Sequence, residues 1–332
     1  MENHKMSVDT QSVAHPKTKG FPAEVSLNRL RQFGMPIALI VIVIYFSLAS
    51  DVFLTGQNFR NVALQAAALS AVAVGQCFVI LNADLDLSVG SAVALISVIS
   101  AMAMAAAGAP VGIAAGLLTG AAIGLVNGLV VTRLRVMAFI ATLAMLSIAQ
   151  GLALRISKGV PITGIPGSFA DLAFANVLGV PLPFLIAAAL VVLGFLTLHF
   201  TRLGRNIYAV GGNTEAARLS GISVSKTKIA AYVVSGLCAA IASLILTARV
   251  GTGQPTLGAS MSLESVAAVV LGGVSLFGGR GSIAGVAIGV GFVSILSNGL
   301  NLLNVSSYTQ MMIVGAALIA AVAADQALTH KK

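Results

Sequence analysis

Residues 87–132 read LSVGSAVALISVISAMAMAAAGAPVGIAAGLLTGAAIGLVNGLVVT, a run of 46 residues without one charged side chain. About 20 apolar residues cross a hydrocarbon core of about 30 Å, so this run holds two spans. Gly108-Ala109-Pro110 near its middle is a turn signal that divides them. The rest of the chain follows the same rule. Of 332 residues, 58% are hydrophobic and 9% charged, and the mean hydropathy is +0.99. A soluble domain carries about 25% charge. The reading is an all-α fold: a polytopic transmembrane helical bundle of about ten spans, some of them broken helices.

Working outward, the other spans are bounded by charge. They fall at 33–54, 61–82, 136–154, 181–200, 229–248 and 262–279. Residues 281–324 form a second long charge-free run, divided where Asn298, Asn301 and Asn304 would be unwelcome in lipid. Residues 155–180, with Pro161, Gly164, Pro166 and Gly167, read as an extramembrane loop with room for one short surface helix. Residues 1–32 and 325–332 read as cytoplasmic tails, the first disordered and without a cleavable signal segment, and 33–324 as the membrane domain. With the N-terminus inside, 15 of the 19 Lys and Arg lie on the cytoplasmic side; only Arg60, Arg155, Lys158 and Arg249 lie outside. This split predicts both termini in the cytoplasm. The net charge of +9 thus reflects topology, not nucleic acid, since no basic stripe with interleaved aromatics occurs. Cys77 and Cys238 sit in apolar runs and read as buried thiols, although spacing alone leaves a disulfide open.

Thr201–Lys228 is the most basic internal segment, with Arg202, Arg205, Arg218, Lys226 and Lys228. Within it Asn213-Thr214 offers an N-cap, Glu215 suits a first turn, and Gly221 supplies a stop. A helix of about two turns there is too short to stand alone in water, so it needs a surface to lie against. The plainer reading is a solvated, topology-setting loop. Glu215-Ala216-Ala217, then three residues and Gly221, resembles the EAA loop of ABC-importer permeases. The wider wording GRNIYAVGGNTEAARLSGI (204–222) resembles the ribose-type sugar permeases.

Two further stretches carry the same resemblance. Asn82–Gly90 places Asp84 and Asp86 between long apolar runs, where a carboxylate at membrane depth costs about 2.5–3.5 kcal/mol on insertion scales. Its residues read either as a turn with Asp86 or Ser88 capping the next helix, or as a break whose N-terminal amides face a pathway. The wording DLSVGS is similar to the ribose-type family, which has glycines where this chain has Asn82-Ala83-Asp84. Leu271–Ser282, with Gly272, Gly273, Gly278, Gly279 and Gly281, matches that family's GG-x-S-x-x-GG-x-GS signature; by composition it reads as close helix packing within the eighth span.

Some chemistry is missing from the sequence. It has no G-x-x-x-x-G-K-S/T phosphate loop, no metal-ligand spacing of Cys and His, and no nucleophile elbow; its four histidines lie in tails or at a helix end. No enzyme, cofactor or metal is expected. An ion-coupled transporter would want ionisable groups in mid-membrane, and apart from Asp84 and Asp86 at one span end and Glu264 near another there are none. The family resemblance implies a permease subunit of a bacterial inner-membrane importer of a monosaccharide, with branched-chain amino-acid or nucleoside import as alternatives. The implied partners are a second permease copy, a cytoplasmic ATPase, a periplasmic sugar-binding protein and membrane lipid. It assigns Glu215, Ala216, Ala217 and Gly221 to ATPase coupling, with the two alanines against the partner. Small polar groups on apolar spans are the pathway candidates: Asp86, Ser88, Asn127, Gln150, Asn298 and Asn301. Each of these could equally hold helices together.

Overall fold

The computed structural model describes residues 22–329. Contacts divide the chain into two units, Met1–Gly34 and Met35–Lys332. Helix α1 (Pro22–Ala49) begins within the former, so residues 22–32, expected in the tail, are helical; residues 1–21 lie outside the described part. The second unit carries α2 (Gly56–Leu81), α3 (Val89–Ala107), α4 (Ala109–Thr132), α5 (Ala138–Ser157) and a short α6 (Gly167–Ala170). A two-stranded hairpin follows, β1 (Asn176–Val177) and β2 (Val180–Pro181), then α7 (Leu182–Phe200), α8 (Arg202–Gly212) and α9 (Thr214–Leu219). The chain closes with α10 (Val224–Val250), α11 (Met261–Leu271), α12 (Ile283–Leu302) and α13 (Ser307–Thr329). Helix α13 thus runs through 325–329 of the expected tail, and residues 330–332 lie outside the described part.

Among the described residues, seven helices are long and apolar enough to cross a membrane, and shorter apolar helical stretches lie at Gly34–Ala49, Met261–Leu271 and Ser307–Ala320. These helical segments lie at the positions of the ten expected segments, seven of them long enough to span, with one correction. The eighth, expected at 262–279, is a helix of 11 residues. At 1.5 Å per residue it covers about 16 Å, half of a hydrocarbon core. Glycine and valine made the following loop look like membrane by composition. The backbone there is not helical: Gly273, Gly278, Gly279 and Gly281 all take positive φ. Gly279 N–H donates to the Leu81 carbonyl at 2.9 Å, and a Cβ on Gly279 would strike the Gly212 backbone.

Helix α2 is enclosed by α7, α10, α11 and α12, and from Ala66 to Leu81 every residue except Ser70 is buried. Apart from Gln76 this buried stretch is apolar on every face, which is the pattern of a helix with protein on every side. Elsewhere the bundle turns apolar side chains outward; Leu118, Ile140 and Leu193 are exposed, as lipid allows. Between helices in lipid there is no hydrophobic gain, so close approach and hydrogen bonding must hold them. Helix α4 shows how. Gly112, Gly116, Gly120, Gly124 and Gly128, one every four residues, form a buried stripe along it. The lower part faces α10, where a Cβ on Gly120 would strike the Gly236 carbonyl, and one on Gly236 would strike that of Gly120. Cys77 and Cys238 are free and buried, as the sequence reading had it.

Candidate functional site

The link between α2 and α3 gathers more polar contacts than a turn needs. Lys228 Nζ on α10 donates to Asp84 Oδ1 at 2.7 Å. Asp86, 2% exposed, accepts from Ser88 N at 3.0 Å and Ser88 Oγ at 2.6 Å on one oxygen, and from Ser235 Oγ at 2.9 Å on the other. Asn127 Nδ2 on α4 donates to Ser88 Oγ at 2.9 Å, and Thr142 Oγ1 on α5 to the Leu85 carbonyl at 3.1 Å. Ser262 Oγ on α11 donates to the Leu87 carbonyl at 2.8 Å and accepts from Gly90 N at 3.0 Å. One short link therefore ties α4, α5, α10 and α11 together. Tyr232 stands beside Asp84, yet its hydroxyl and Asp84 Oδ2 are buried without a hydrogen-bond partner among the described residues.

The depth of this polar seam decides between the two readings of 82–90. Ser235 lies seven residues beyond Lys228, about 10 Å farther along α10. Ser243 Oγ, which donates to the Val93 carbonyl at 2.8 Å, lies about 22 Å beyond it. Helix α3 therefore starts level with the middle of α10. It then runs alongside α10, whereas α2, whose Gly75 lies against Ser235 and Cys238, runs against it; the link is a turn sunk into the bundle, not a break in one helix. Asp86 serves the plainer role, holding the Ser88 amide just ahead of the helix.

The basic segment folds as two helices, where the sequence reading had one. Thr201 caps α8 through Gly204 N, and Ile207 and Val210 face inward while Arg202 and Arg205 face out. Tyr208 OH donates to the Gly281 carbonyl at 2.9 Å, joining α8 to the glycine loop. Partial burial pushes that phenol above its ordinary value, which keeps it a donor. Asn213 Oδ1 then caps α9, accepting from Ala216 N at 2.9 Å, and Gly221 ends it at φ +80°. Glu215 pairs with Arg218 at 2.6 Å on the exposed face and holds that guanidinium above its ordinary value. The two alanines part company: Ala217 is buried against the chain itself, whereas Ala216 is exposed. What α9 offers a partner is Glu215, Ala216, Arg218 and Leu219, the last 77% exposed.

At the other end of α10 a cleft opens. Two adjoining cavities of about 270 and 450 Å³ share Ser260, Glu264 and Ser297. Gln65, Arg249 and Ser294 line the first, and Gln310 the second. Arg249 is 21 residues from Lys228, about 31 Å along the helix. The cleft and the α8–α9 face therefore occupy opposite ends of the molecule. Ser262, two residues from both Ser260 and Glu264, belongs to both the seam and the cleft-lining helix.

Of the residues singled out by sequence, Asp86, Ser88 and Asn127 meet in the seam. Gln150 Nε2 donates to the Pro255 carbonyl at 2.8 Å, bracing α5 against the segment before α11. Asn298 Nδ2 donates to Asn58 Oδ1 at 2.9 Å, and Asn301 Oδ1 accepts from Gln310 Nε2 at 2.8 Å. None of these six lines the cleft. The groups that do were missed, although Ser294, Ser297 and Asn301 recur at helical spacing along α12. Gln76, also passed over, is wholly buried in α2 with both amide atoms unpartnered among the described residues. No group of three or more His, Cys, Asp or Glu among the described residues stands together as a metal site.

Comparison with known proteins fits this arrangement. Residues 58–322 match the family model described as "Branched-chain amino acid transport system / permease component". The chain is 42% identical over 300 residues to the ribose import permease protein RbsC of Bacillus subtilis (strain 168), covering 90% of this chain and 93% of that one. It is 44% identical over 294 residues to RbsC of Escherichia coli (strain K12), covering 87% and 92%. To the L-arabinose transport system permease protein AraH of Escherichia coli (strain K12) it is 39% identical over 322 residues, covering 96% and 97%. No solved structure matches the chain at a significant level. A family match spanning most of the chain, on a bundle of apolar helices, settles its place: the chain belongs to the branched-chain amino acid transport system permease component family.

Proposed function

We propose that the chain is the transmembrane permease subunit of an ATP-driven, binding-protein-dependent importer of a monosaccharide. The observation that carries this reading is the placement of two opposite polar faces on one bundle. An exposed short helix, α9, precedes α10 at one end, a cleft opens at the other, and the seam connects them. ATP hydrolysis belongs to a separate cytoplasmic chain, docked on Glu215, Ala216, Arg218 and Leu219; Ala217 and Gly221 shape α9 from behind. A second permease copy completes the pathway, and a binding protein delivers sugar from the opposite side. Both termini then lie in the cytoplasm of a bacterial inner membrane, a reading that the 15-to-4 division of basic residues supports. A monosaccharide is preferred over an amino acid because the relatives cited are named for ribose and arabinose.

Uptake decides the matter. A strain lacking its own pentose and allose importers, supplied with this chain and its ATPase and binding protein, is expected to accumulate labelled ribose, arabinose or allose. Accumulation of leucine instead would move the assignment to amino acids. Reporters fused after Lys228 and within 158–175 test orientation: cytoplasmic for the first, periplasmic for the second.

A further inference from the structure

The cleft sets a buried hydroxyl without a partner beside open space; the other unpartnered buried atoms among the described residues, on Gln76, Asn82, Asp84, Tyr232 and Asn298, do not line it. Glu264, in the first turn of α11, and Arg249, in the last turn of α10, both line it, and among the described residues neither makes an ion pair. Ser294 is 1% exposed, lines the same cavity, and its hydroxyl has no hydrogen-bond partner among the described residues. A buried hydroxyl without a partner is destabilising unless something else completes it. Carboxylate, guanidinium and hydroxyls amid apolar helices also mean that the cleft is wet, since lipid would exclude them. One positive and one negative charge leave the site close to neutral, and Gln65, Ser260 and Ser297 add groups that both donate and accept.

We propose that this cleft is a sugar-hydroxyl subsite of the pathway. The Glu264 carboxylate accepts from two neighbouring hydroxyls of a neutral polyol, and Ser294 and Ser297 complete the ring. The proposal rests on the reading of the chain as a monosaccharide permease and adds the residues that touch the cargo. A carboxylate suits vicinal hydroxyls because its two oxygens accept side by side, and a site so equipped rejects ligands that lack the donors. Ser262 fastens the same helix to the seam, so the subsite stands on a fixed support.

The test is cysteine protection on the full-length protein in nanodiscs. Native Cys77 and Cys238 are buried, so a charged methanethiosulfonate reagent reports on one introduced position. Ser297→Cys is expected to react, and D-ribose, L-arabinose or D-allose at tens of millimolar should slow it about threefold or more, as two-thirds occupancy gives. L-Leucine should not. Leu178→Cys, fully exposed at the hairpin tip, is the control and should show no protection. Adding Glu264→Gln should abolish the sugar effect while leaving the unprotected labelling rate as it was. Ser260→Cys, on the opposite wall, serves if Ser297→Cys does not accumulate. Three results overturn the subsite: no labelling at either position, labelling that no sugar slows, or protection that survives Glu264→Gln together with Ser294→Ala. Protection by leucine alone overturns the subsite and the sugar reading together. Failure of the sugar reading by itself is visible separately, as absent uptake of all three sugars by the unmodified transporter.

Discussion

The seam and the cleft are both polar places in an apolar bundle, and they differ in what their polar atoms have to do. In the seam, Asp86 receives three hydrogen bonds and Asp84 an ammonium partner. In the cleft, Glu264 and Ser294 face a cavity with no partner among the described residues. A hydrogen-bonded buried network such as that around Asp86 rigidifies and is costly to disturb, even where Asp84 Oδ2 and Tyr232 OH stay unpartnered, whereas unpartnered groups at a cavity wait for a ligand. The comparison teaches that residue type alone does not separate structure from function inside a membrane. Satisfaction, read together with adjoining open space, does.

The contrast breaks most visibly at Asp86. Asp86→Leu strands the buried Ser88 and Ser235 donors, each costing about 1–3 kcal/mol, and the variant should fail to accumulate as a monodisperse protein on size-exclusion chromatography. The parallel Glu264→Leu should accumulate like the parent; equal behaviour of the two would erase the distinction. A smaller loss is expected from Lys228→Met, which leaves a buried carboxylate unpaired at about 3–5 kcal/mol. Removing Asp84 as well should restore most of the lost thermal stability, and a double variant as weak as the single one would deny the pair its role. Gly120→Val should cost about 1–3 kcal/mol by overpacking α4 against α10, read as a lower melting temperature. Glu264→Gln should shift stability by less than about 0.5 kcal/mol while uptake falls. Smallest of all in stability is Ala216→Trp, on the exposed face of α9: protein level unchanged, uptake and stimulated ATP hydrolysis lost. Normal uptake by that variant would return α9 to a topological anchor.

Hydropathy made the helical architecture legible, because the transfer cost of Arg60, Asp84, Arg135 or Arg155 marks where a span must stop. It failed where cost depends on neighbours. Gly272–Ser282 is apolar enough to pass for membrane, yet its positive φ angles forbid a helix. Helix α8 was hidden because Ile207 and Val210 are few among charged residues, and their spacing signals a surface helix only once a face for them exists. The link at Asp84–Ser88 was legible as a turn but its depth was not, since that is set by Ser235 and Asn127, far off in sequence. The cleft was least visible. Glu264 looked like a span-end charge and Ser294 gave no signal at all, and nothing local says that either lacks a partner.

A single residue, Gly108 at φ +86°, separates α3 from α4. That brevity bears on how the protein is made. As the chain leaves the ribosome, α3 cannot settle across the bilayer while α4 waits outside, because no slack lies between them. The two must enter as one hairpin. Residues 87–132 hold no charge that an insertion machinery could read, so the hairpin takes its direction from Arg133 and Arg135 just beyond its end, since acidic side chains such as Asp84 and Asp86 carry little weight. The orientation of 46 residues is thereby delegated to two side chains at one edge.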